Sequence, residues 1–166
     1  MTIDPTTTAL LLLDFVKQGC NAERRPRCLA TLPAAKQLLA EARAKNVLVV
    51  YSIIIGSTIG DTLPEAAPTG KEPYVQSRPE KFLNTDLEKI LKDHGIKTVI
   101  VAGTAAHGAL MYTASEAVFR CFKAIVPVDT MSADSAFNEQ YVAYNFTVAP
   151  RLDAGTTLTR VSMIEF

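Results

Sequence analysis

Short apolar runs, separated by stretches with helical spacing, give this chain its pattern. Runs rich in leucine, valine and isoleucine lie at Thr8–Leu13, Val47–Ile55, Val99–Ala102, Lys123–Val126 and Thr156–Val161. Continuous apolar runs of this length are typical of strands that are buried on both faces of a sheet. The pattern therefore predicts a sheet whose strands are mostly parallel.

Amphipathic segments between these runs predict helices that cover the sheet. Leu29–Lys45 places leucines and alanines on one face and charged residues on the other. Similar spacing recurs from Thr85 to Gly95, at Gly108–Phe119 and at Ser135–Phe146. This alternation predicts a three-layer, doubly wound α/β fold with a six-stranded, mostly parallel sheet. We expect a single domain over residues 1–166.

Two segments follow neither spacing and predict loops. Glycine and proline concentrate at Gly56–Pro79, where we expect a long loop that covers the carboxyl edge of the sheet. Arg24, Arg25 and Arg27 surround Pro26 in a charged loop that we expect to be solvated.

Composition narrows the class of protein. The chain has 166 residues, of which 48% are hydrophobic, and its 17 lysines and arginines balance 17 aspartates and glutamates. Without a basic block, we expect no binding to nucleic acid or to an anionic membrane surface. The apolar run Ala9–Leu13 is too short for a membrane span or a secretion signal, which favours a cytoplasmic protein.

The cysteines and histidines form no metal-binding pattern. Cys20, Cys28 and Cys121 have no metal-ligand spacing and no even number for disulfide pairing, which favours a reducing compartment. Only two histidines are present, His94 and His107. We therefore expect neither a catalytic metal nor a cofactor.

Two sequence features predict a ligand site at the carboxyl edge of the sheet. Asp14 directly follows the first strand, and a turn from Gly103 to His107 follows the strand Val99–Ala102. Ligands of open α/β sheets bind at this edge, where helix N-termini offer free N–H groups. Asp14 either faces this crevice or caps the next turn, as aspartate often does.

The turn carries a resemblance to a known family. Its sequence, Gly-Thr-Ala-Ala-His-Gly-Ala-Leu-Met-Tyr-Thr-Ala, resembles the nucleophile turn of the isochorismatase-like hydrolases, also called the cysteine hydrolase superfamily. Ala-Leu-Leu-Leu-Leu-Asp-Phe resembles the first strand of that family, and Val128-Asp-Thr-Met-Ser-Ala resembles a later edge. The resemblance implies a Rossmann-like strand order 3-2-1-4-5-6 and a catalytic acid/base at Asp14.

Two positions depart from the family pattern. Ala109 stands where the family has its nucleophilic cysteine, and alignment on Phe82 places Gln76 where the family has its lysine. Lys81 is close in sequence, but we interpret it as a solvated lysine at a helix start. Cys20 is interpreted as a packing cysteine rather than a displaced nucleophile, because a neighbouring carboxylate suppresses thiolate.

These departures argue against amide hydrolysis through an acyl-enzyme, since loss of a nucleophile from a comparable triad costs about a millionfold in rate. The isochorismatases proper resemble this chain at Ala106-His107 and also lack the cysteine. That resemblance implies vinyl-ether hydrolysis, with Asp14 as the acid and His107 orienting water or a substrate carboxylate. Isochorismate itself is disfavoured by the apolar stretch Ile53-Ile54-Ile55.

The remaining expectations concern ligands and assembly. A small-molecule substrate is expected to contact Phe15, Ile53, Gly108, Leu110 and Tyr112. The alternatives are a catalytically degenerate member that binds a small ligand and a structural or partner-binding subunit. The family resemblance also implies a homo-oligomer, a dimer or tetramer, assembled through the helix Met111–Phe119.

Overall fold

A computed structural model, which describes residues 1–166, contains one sheet of seven strands with helices on both faces. The strands are β1 (Thr8–Leu13), β2 (Leu48–Ile54), β3 (Tyr74–Ser77), β4 (Thr98–Thr104), β5 (Lys123–Pro127), β6 (Met131–Ser132) and β7 (Thr156–Thr159). The helices are α1 (Pro26–Ala44), α2 (Leu87–Asp93), α3 (Met111–Phe119), α4 (Ala136–Val148) and α5 (Leu152–Gly155). A π-helical turn, Ala106–Leu110, precedes α3.

The strand order is β3-β2-β1-β4-β5-β7, and the short β6 pairs with the end of β4. All of these pairings are parallel. Counted over the six longer strands, the order is 3-2-1-4-5-6, so the predicted doubly wound α/β fold is confirmed. The order reverses between β1 and β4, and in such folds ligands bind beside this switch point at the carboxyl ends of the strands.

Two apolar cores lie on opposite faces of the sheet because every side chain of β1 is buried and successive residues point to opposite faces. Leu11 and Leu13 pack into a core that α2, α3 and α4 cover. Leu10 and Leu12 pack into a second core that α1 covers. This burial on both faces explains the continuous apolar run, and it leaves the strand ends as places for polar chemistry.

The structure corrects two expectations about the irregular segments. Gly56–Pro79 is not one long loop, since it contains the edge strand β3, which pairs in parallel with β2. Cys20 and Cys28, which were expected to stay unpaired, form a disulfide with their Cα atoms 5.3 Å apart. No helix is both long enough and apolar enough to cross a membrane.

Candidate active site

The carboxyl ends of β1 and β4 lie unusually close together. Leu13 and Gly103 are partners in the register, and a Cβ atom on Gly103 would lie 2.1 Å from the backbone oxygen of Leu13. Gly103 also has φ +145°, a conformation that only glycine adopts readily. The close approach brings Asp14, which follows β1, beside the turn that follows Thr104.

A cavity of about 190 Å³ opens at this point. Asp14 and the segment that follows it form one wall, and four residues at the end of β4 and just after it form another, namely Thr104, Ala105, Gly108 and Ala109. Ile54, from the end of β2, and Pro79 close a third side. Asp14, Gly108 and Ala109 therefore share one cavity at the switch point.

Lys81 makes the main polar contact of Asp14. Its Nζ lies 2.9 Å from Oδ1 and 2.8 Å from Oδ2 of Asp14, and its side chain is wholly buried. The expectation that Lys81 is solvated is therefore wrong. Gln76 instead lies on the exposed side of the edge strand β3, where its Nε2 donates to the carbonyl oxygen of Ser57 at 2.7 Å. It is Lys81, and not Gln76, that stands beside Asp14.

A tight chain reversal after β3 directs Lys81 inward. The hydroxyl of Ser77 donates to the carbonyl oxygens of Arg78 and Glu80, and the carboxylate of Glu80 accepts from the N–H of Phe82 at 2.7 Å. The hydroxyl of Thr85 donates to the carbonyl oxygen of Lys81 at 2.6 Å. These local bonds fix the backbone at Lys81, whose buried side chain reaches Asp14 with its ammonium group.

Burial and charge act in opposite directions on Asp14. Burial raises the pKa of the Asp14 carboxyl above its ordinary value, while the charges of Lys81 and Arg25 oppose that rise. The net direction is upward. A carboxyl with a raised pKa that is still held by a cation can both release and recover a proton, which is what an acid/base catalyst requires.

The turn after β4 supplies the opposite wall of the cavity. The N–H groups of Gly108 and Leu110 both donate to the carbonyl oxygen of Ala105, at 3.0 and 3.2 Å. These two donors are therefore engaged within the turn rather than free for a ligand. Ala109 borders the cavity with its methyl group and is 4% exposed. Residue 109 and Asp14 therefore line the same cavity.

His107 does not border the cavity. Its Nε2 lies 3.7 Å from Oδ2 of Asp134, and its Nδ1 is buried without a hydrogen-bond partner. The expectation that His107 orients a substrate group beside Asp14 is therefore not supported. The ring instead faces Asp134, in the segment after β6.

The expected substrate-binding residues separate into three groups. Gly108 borders the cavity. Phe15, Ile53 and Leu110 are buried at 2% exposure or less and border no part of it. Tyr112 lies in a neighbouring open groove with Ile55 and Leu83. The alternation of side chains along β2 explains one of these errors, since Ile54, not Ile53, points to the cavity.

No thiol is available in the cavity. Cys20 is in the disulfide with Cys28, and Cys121, the free cysteine, is exposed beyond the end of α3. No three His, Cys, Asp or Glu side chains lie close enough together to hold a metal ion.

Arginines of the loop before α1 also line the cavity, which the sequence analysis missed. Arg24 and Arg25 both border it. The Nε of Arg25 donates to Oδ1 of Asp134 at 2.7 Å, and its Nη1 donates to the hydroxyl oxygen of Thr104 at 3.3 Å. The side chain of Arg25 is only 13% exposed, so the expectation of a fully solvated loop is wrong for this residue.

Comparison with solved structures places the fold. An isochorismatase family protein from Desulfovibrio vulgaris matches with a TM-score of 0.86 and 19% identity over 95% of each chain. N-carbamoylsarcosine amidase from Thermoplasma acidophilum matches with a TM-score of 0.82 and 23% identity over 96% of this chain and 99% of that one. A cysteine hydrolase from Pseudomonas syringae matches with a TM-score of 0.84 and 21% identity, over 96% of this chain and 91% of that one. These low identities show a shared fold alone.

Sequence comparison identifies the family. No curated protein matches the chain significantly. The model of the isochorismatase domain matches residues 8–154, from the first residue of β1 into α5. That range includes Asp14, Lys81 and Ala109. The chain therefore belongs to the isochorismatase family.

Proposed function

We propose that this chain is a hydrolase of small molecules that works by acid–base chemistry at Asp14, without a covalent intermediate. The observation that carries the proposal is the buried pair of Asp14 and Lys81, beside a cavity that Ala109 borders at the position where the family resemblance implies a nucleophile. Of the three groups implied by the family resemblance, two are therefore available and only the thiol is missing. This combination favours a reaction in which water, rather than the protein, attacks the substrate.

Vinyl-ether hydrolysis is such a reaction. Asp14 in its acid form gives its proton to the terminal carbon of the C=C–O group, which becomes an oxocarbenium ion. Water attacks the cationic carbon and returns a proton to the Asp14 carboxylate. The hemiketal that forms then separates into a ketone and an alcohol. One water is consumed, and Asp14 is regenerated.

Lys81 favours the first proton transfer, in which Asp14 becomes a carboxylate. When Asp14 loses its proton, its new negative charge already lies 2.8 to 2.9 Å from a fixed ammonium group. Such a preorganised partner needs no solvent rearrangement as charge develops. The two contacts also hold the carboxyl in one orientation.

Amide hydrolysis is the less favoured reaction because the cavity lacks a thiol. The solved structures with this fold include an amidase, a cysteine hydrolase and an isochorismatase family protein, so their names do not select between the reactions. Ala109 supports the vinyl-ether reaction, since acyl transfer through a covalent intermediate needs a nucleophile at that position.

The test is turnover of a panel of small vinyl ethers, amides and esters in H₂O and D₂O. We expect vinyl-ether hydrolysis, with one solvent deuterium in the new methyl group of the ketone. Asp14→Asn should lower kcat by about 10²- to 10⁴-fold. Cys121→Ser is the matched control and should leave the rate unchanged, because that thiol lies outside the cavity.

Three outcomes would contradict the proposal. Amide or ester hydrolysis without vinyl-ether hydrolysis would indicate a different chemistry. An undiminished rate in Asp14→Asn would remove the acid from the mechanism. Binding of vinyl ethers without any turnover would favour the alternative, a family member that only binds its ligand.

A further inference from the structure

We propose that Arg24 and Arg25 form a subsite for a carboxylate, so that the substrate is a small organic acid. The substrate class named here rests on the proposed function, since the subsite lies in the same cavity as Asp14. Its residues come from the loop before α1, which is separate from the elements that hold Asp14, Lys81 and Ala109.

The guanidinium group of Arg25 is fixed in place, but some of its N–H donors have no protein acceptor. Its Nε and Nη1 are engaged by Asp134 and Thr104, and no protein atom accepts from Nη2. A guanidinium has five N–H donors, so several remain for a ligand. Thr104 is itself held, because its hydroxyl donates to the carbonyl oxygen of Ser132 at 3.3 Å. Arg25 thus offers a preorganised fork of the kind that binds carboxylates in two contacts.

Arg24 is an exposed residue that borders the cavity and adds a second positive charge there. Its side chain makes no ion pair or hydrogen bond, although its backbone N–H is held by the side-chain oxygen of Asn21 at 2.8 Å. Arg25 is paired with Asp134, and Lys81 is paired with Asp14. The charged residues that line or enter the cavity therefore leave one unpaired positive charge, which an anionic ligand would balance.

The location of the two arginines fits a substrate with two functional ends. Asp14 and Arg25 line the same small cavity, and Arg25 lies close enough to Asp14 for its charge to lower the pKa of that carboxyl. A molecule held by its carboxylate at Arg25 would therefore place its other end at Asp14. Binding energy from a remote group is used in this way to position the reacting bond.

Binding of benzoate and benzamide to the intact protein tests the subsite without any turnover. The two probes have the same size and shape and differ in charge. Because hydrogen bonds to charged groups are the stronger ones, we expect benzoate to bind at least about tenfold more tightly than benzamide by isothermal titration calorimetry. Arg24→Gln and Arg25→Gln should each reduce that preference. Arg25→Lys should restore it only in part, because lysine lacks the fork.

Arg78→Gln is the matched control. It removes the same charge from the neighbouring groove rather than from the cavity, and it should leave the benzoate preference unchanged. Equal affinity for the two probes, no binding of benzoate, or a preference that survives in both Arg24→Gln and Arg25→Gln would overturn the carboxylate subsite. Tighter binding of inorganic phosphate than of benzoate would also overturn it, in favour of a phosphate site.

The two proposals can fail separately. A benzoate preference that depends on the arginines, in a protein with no hydrolytic activity, would retain the subsite and reject the proposed reaction. Vinyl-ether hydrolysis that depends on Asp14 but proceeds equally well on uncharged substrates would retain the reaction and reject the subsite.

Discussion

A single buried ion pair sets the electrostatics of the site at the scale of residues. Removing two charges from water costs several kcal/mol for each, and their attraction offsets that cost only while both partners remain. The side chains of Lys81 and Asp14 are 0% and 11% exposed, so neither can turn to solvent without disturbing the core. Substituting one member of the pair should therefore have a large effect on stability.

Lys81→Met should destabilise the protein by about 3–5 kcal/mol at pH 7, because it leaves a buried carboxylate without its partner. Burial then raises the folded-state pKa of Asp14 with less opposition. A carboxyl with a raised folded-state pKa stabilises the fold at low pH and loses that contribution as the pH rises through this value. The loss measured by urea unfolding should therefore be smaller at pH 4 than at pH 7.

The double variant Asp14→Asn with Lys81→Met is the control for this prediction. It removes both charges, so it should be more stable at pH 7 than Lys81→Met alone. A single variant whose loss of stability is the same at both pH values would show that packing of the lysine stem, and not its charge, stabilises the fold.

Ala109→Cys tests the cavity as an environment for a thiol, in a Cys121→Ser background so that residue 109 is the free cysteine. Lys81 contacts Asp14, and Arg25 lines the cavity that residue 109 borders. We therefore expect iodoacetamide to label residue 109 at pH 7 faster than it labels Cys121 in the unaltered chain. Adding Lys81→Met should slow the labelling. Equal rates with and without Lys81 would mean that the lysine does not stabilise a thiolate there.

Sequence reasoning found one partner of the ion pair and missed the other. Asp14 follows directly from a carboxylate placed after a buried strand, which is a local pattern. Lys81 was missed because its direction depends on the turn made by Ser77, Glu80 and Thr85, and a fixed spacing to Phe82 does not encode that turn. Arg25 was missed because tertiary contacts with Asp134 and Thr104, not its charged neighbours, decide its burial.

At the scale of elements, the disulfide between Cys20 and Cys28 holds the loop that carries Arg24 and Arg25. Replacing both cysteines by serine should lower the free energy of unfolding by about 2–3 kcal/mol, as expected for a loop this short. It should also weaken benzoate binding, because the arginine loop gains freedom that binding must remove. Calorimetry on the double variant measures both. Unchanged benzoate affinity would mean that Asp134 and Asn21 alone position the arginines.

A cluster of Arg43, Tyr51 and Glu72 links α1 to β2 and makes the free energy of unfolding depend on pH. Arg43 of α1 contacts Glu72 at 2.7 Å and the hydroxyl of Tyr51 on β2 at 3.1 Å. Burial tends to raise the pKa of Glu72, but hydrogen bonds from Thr69 and Arg43 outweigh it and hold that pKa below its ordinary value. Burial also raises the pKa of Tyr51 to about 12. Glu72 is therefore the group of this cluster that titrates in acid.

Glu72→Gln should cost about 1–2 kcal/mol at pH 7, since hydrogen bonds to a charged acceptor are lost. A lowered folded-state pKa gives stability that is present above the unfolded value and lost as the pH falls through the folded one. The gap between the two proteins in urea unfolding should therefore narrow as the pH falls below the ordinary glutamate pKa of about 4.3. Glu23→Gln, which removes an exposed carboxylate without a side-chain partner, should show no gap at either pH.

Most strands and helices were predictable from the sequence. The strand β3, which was missed, is short and lies at the edge of the sheet. Buried strands such as β1 and β4 carry continuous apolar runs, which are a strong signal. The edge strand β3 alternates exposed and buried residues over only four positions, and neighbouring glycines and prolines obscure so short a pattern. Had Tyr74–Ser77 been recognised as a strand, Lys81 would have followed its carboxyl end, at the same edge as Asp14.

At the scale of the whole molecule, Gly103 lies where the two central strands, β1 and β4, approach each other closely. Gly103→Ala should destabilise the protein by about 3 kcal/mol or more, because its methyl group would meet the backbone of Leu13, which cannot move aside cheaply. Activity should fall with it, since β1 and β4 carry opposite walls of the cavity. Gly60→Ala, whose added methyl group meets only an ordinary contact, is the control in thermal unfolding. Similar melting temperatures for the two variants would contradict this.

Self-association remains a prediction at this scale. Tyr112 and Phe119 of α3 are about half exposed, which leaves that helix with apolar surface for another copy. Sedimentation equilibrium distinguishes a monomer from the expected dimer or tetramer.

The parallel pairing of β1 with β4 also bears on how the protein is made. Thr8 of β1 pairs with Thr98 of β4. During synthesis β1 therefore leaves the ribosome long before β4, its partner, has been made. Contacts so distant in sequence slow folding and leave an apolar strand edge open to other nascent chains meanwhile. Asp14 and Lys81 emerge early, but the wall at Ala109 arrives only after β4. A nascent chain stalled before that turn would contain Asp14 and Lys81, but the cavity beside them would not yet have formed.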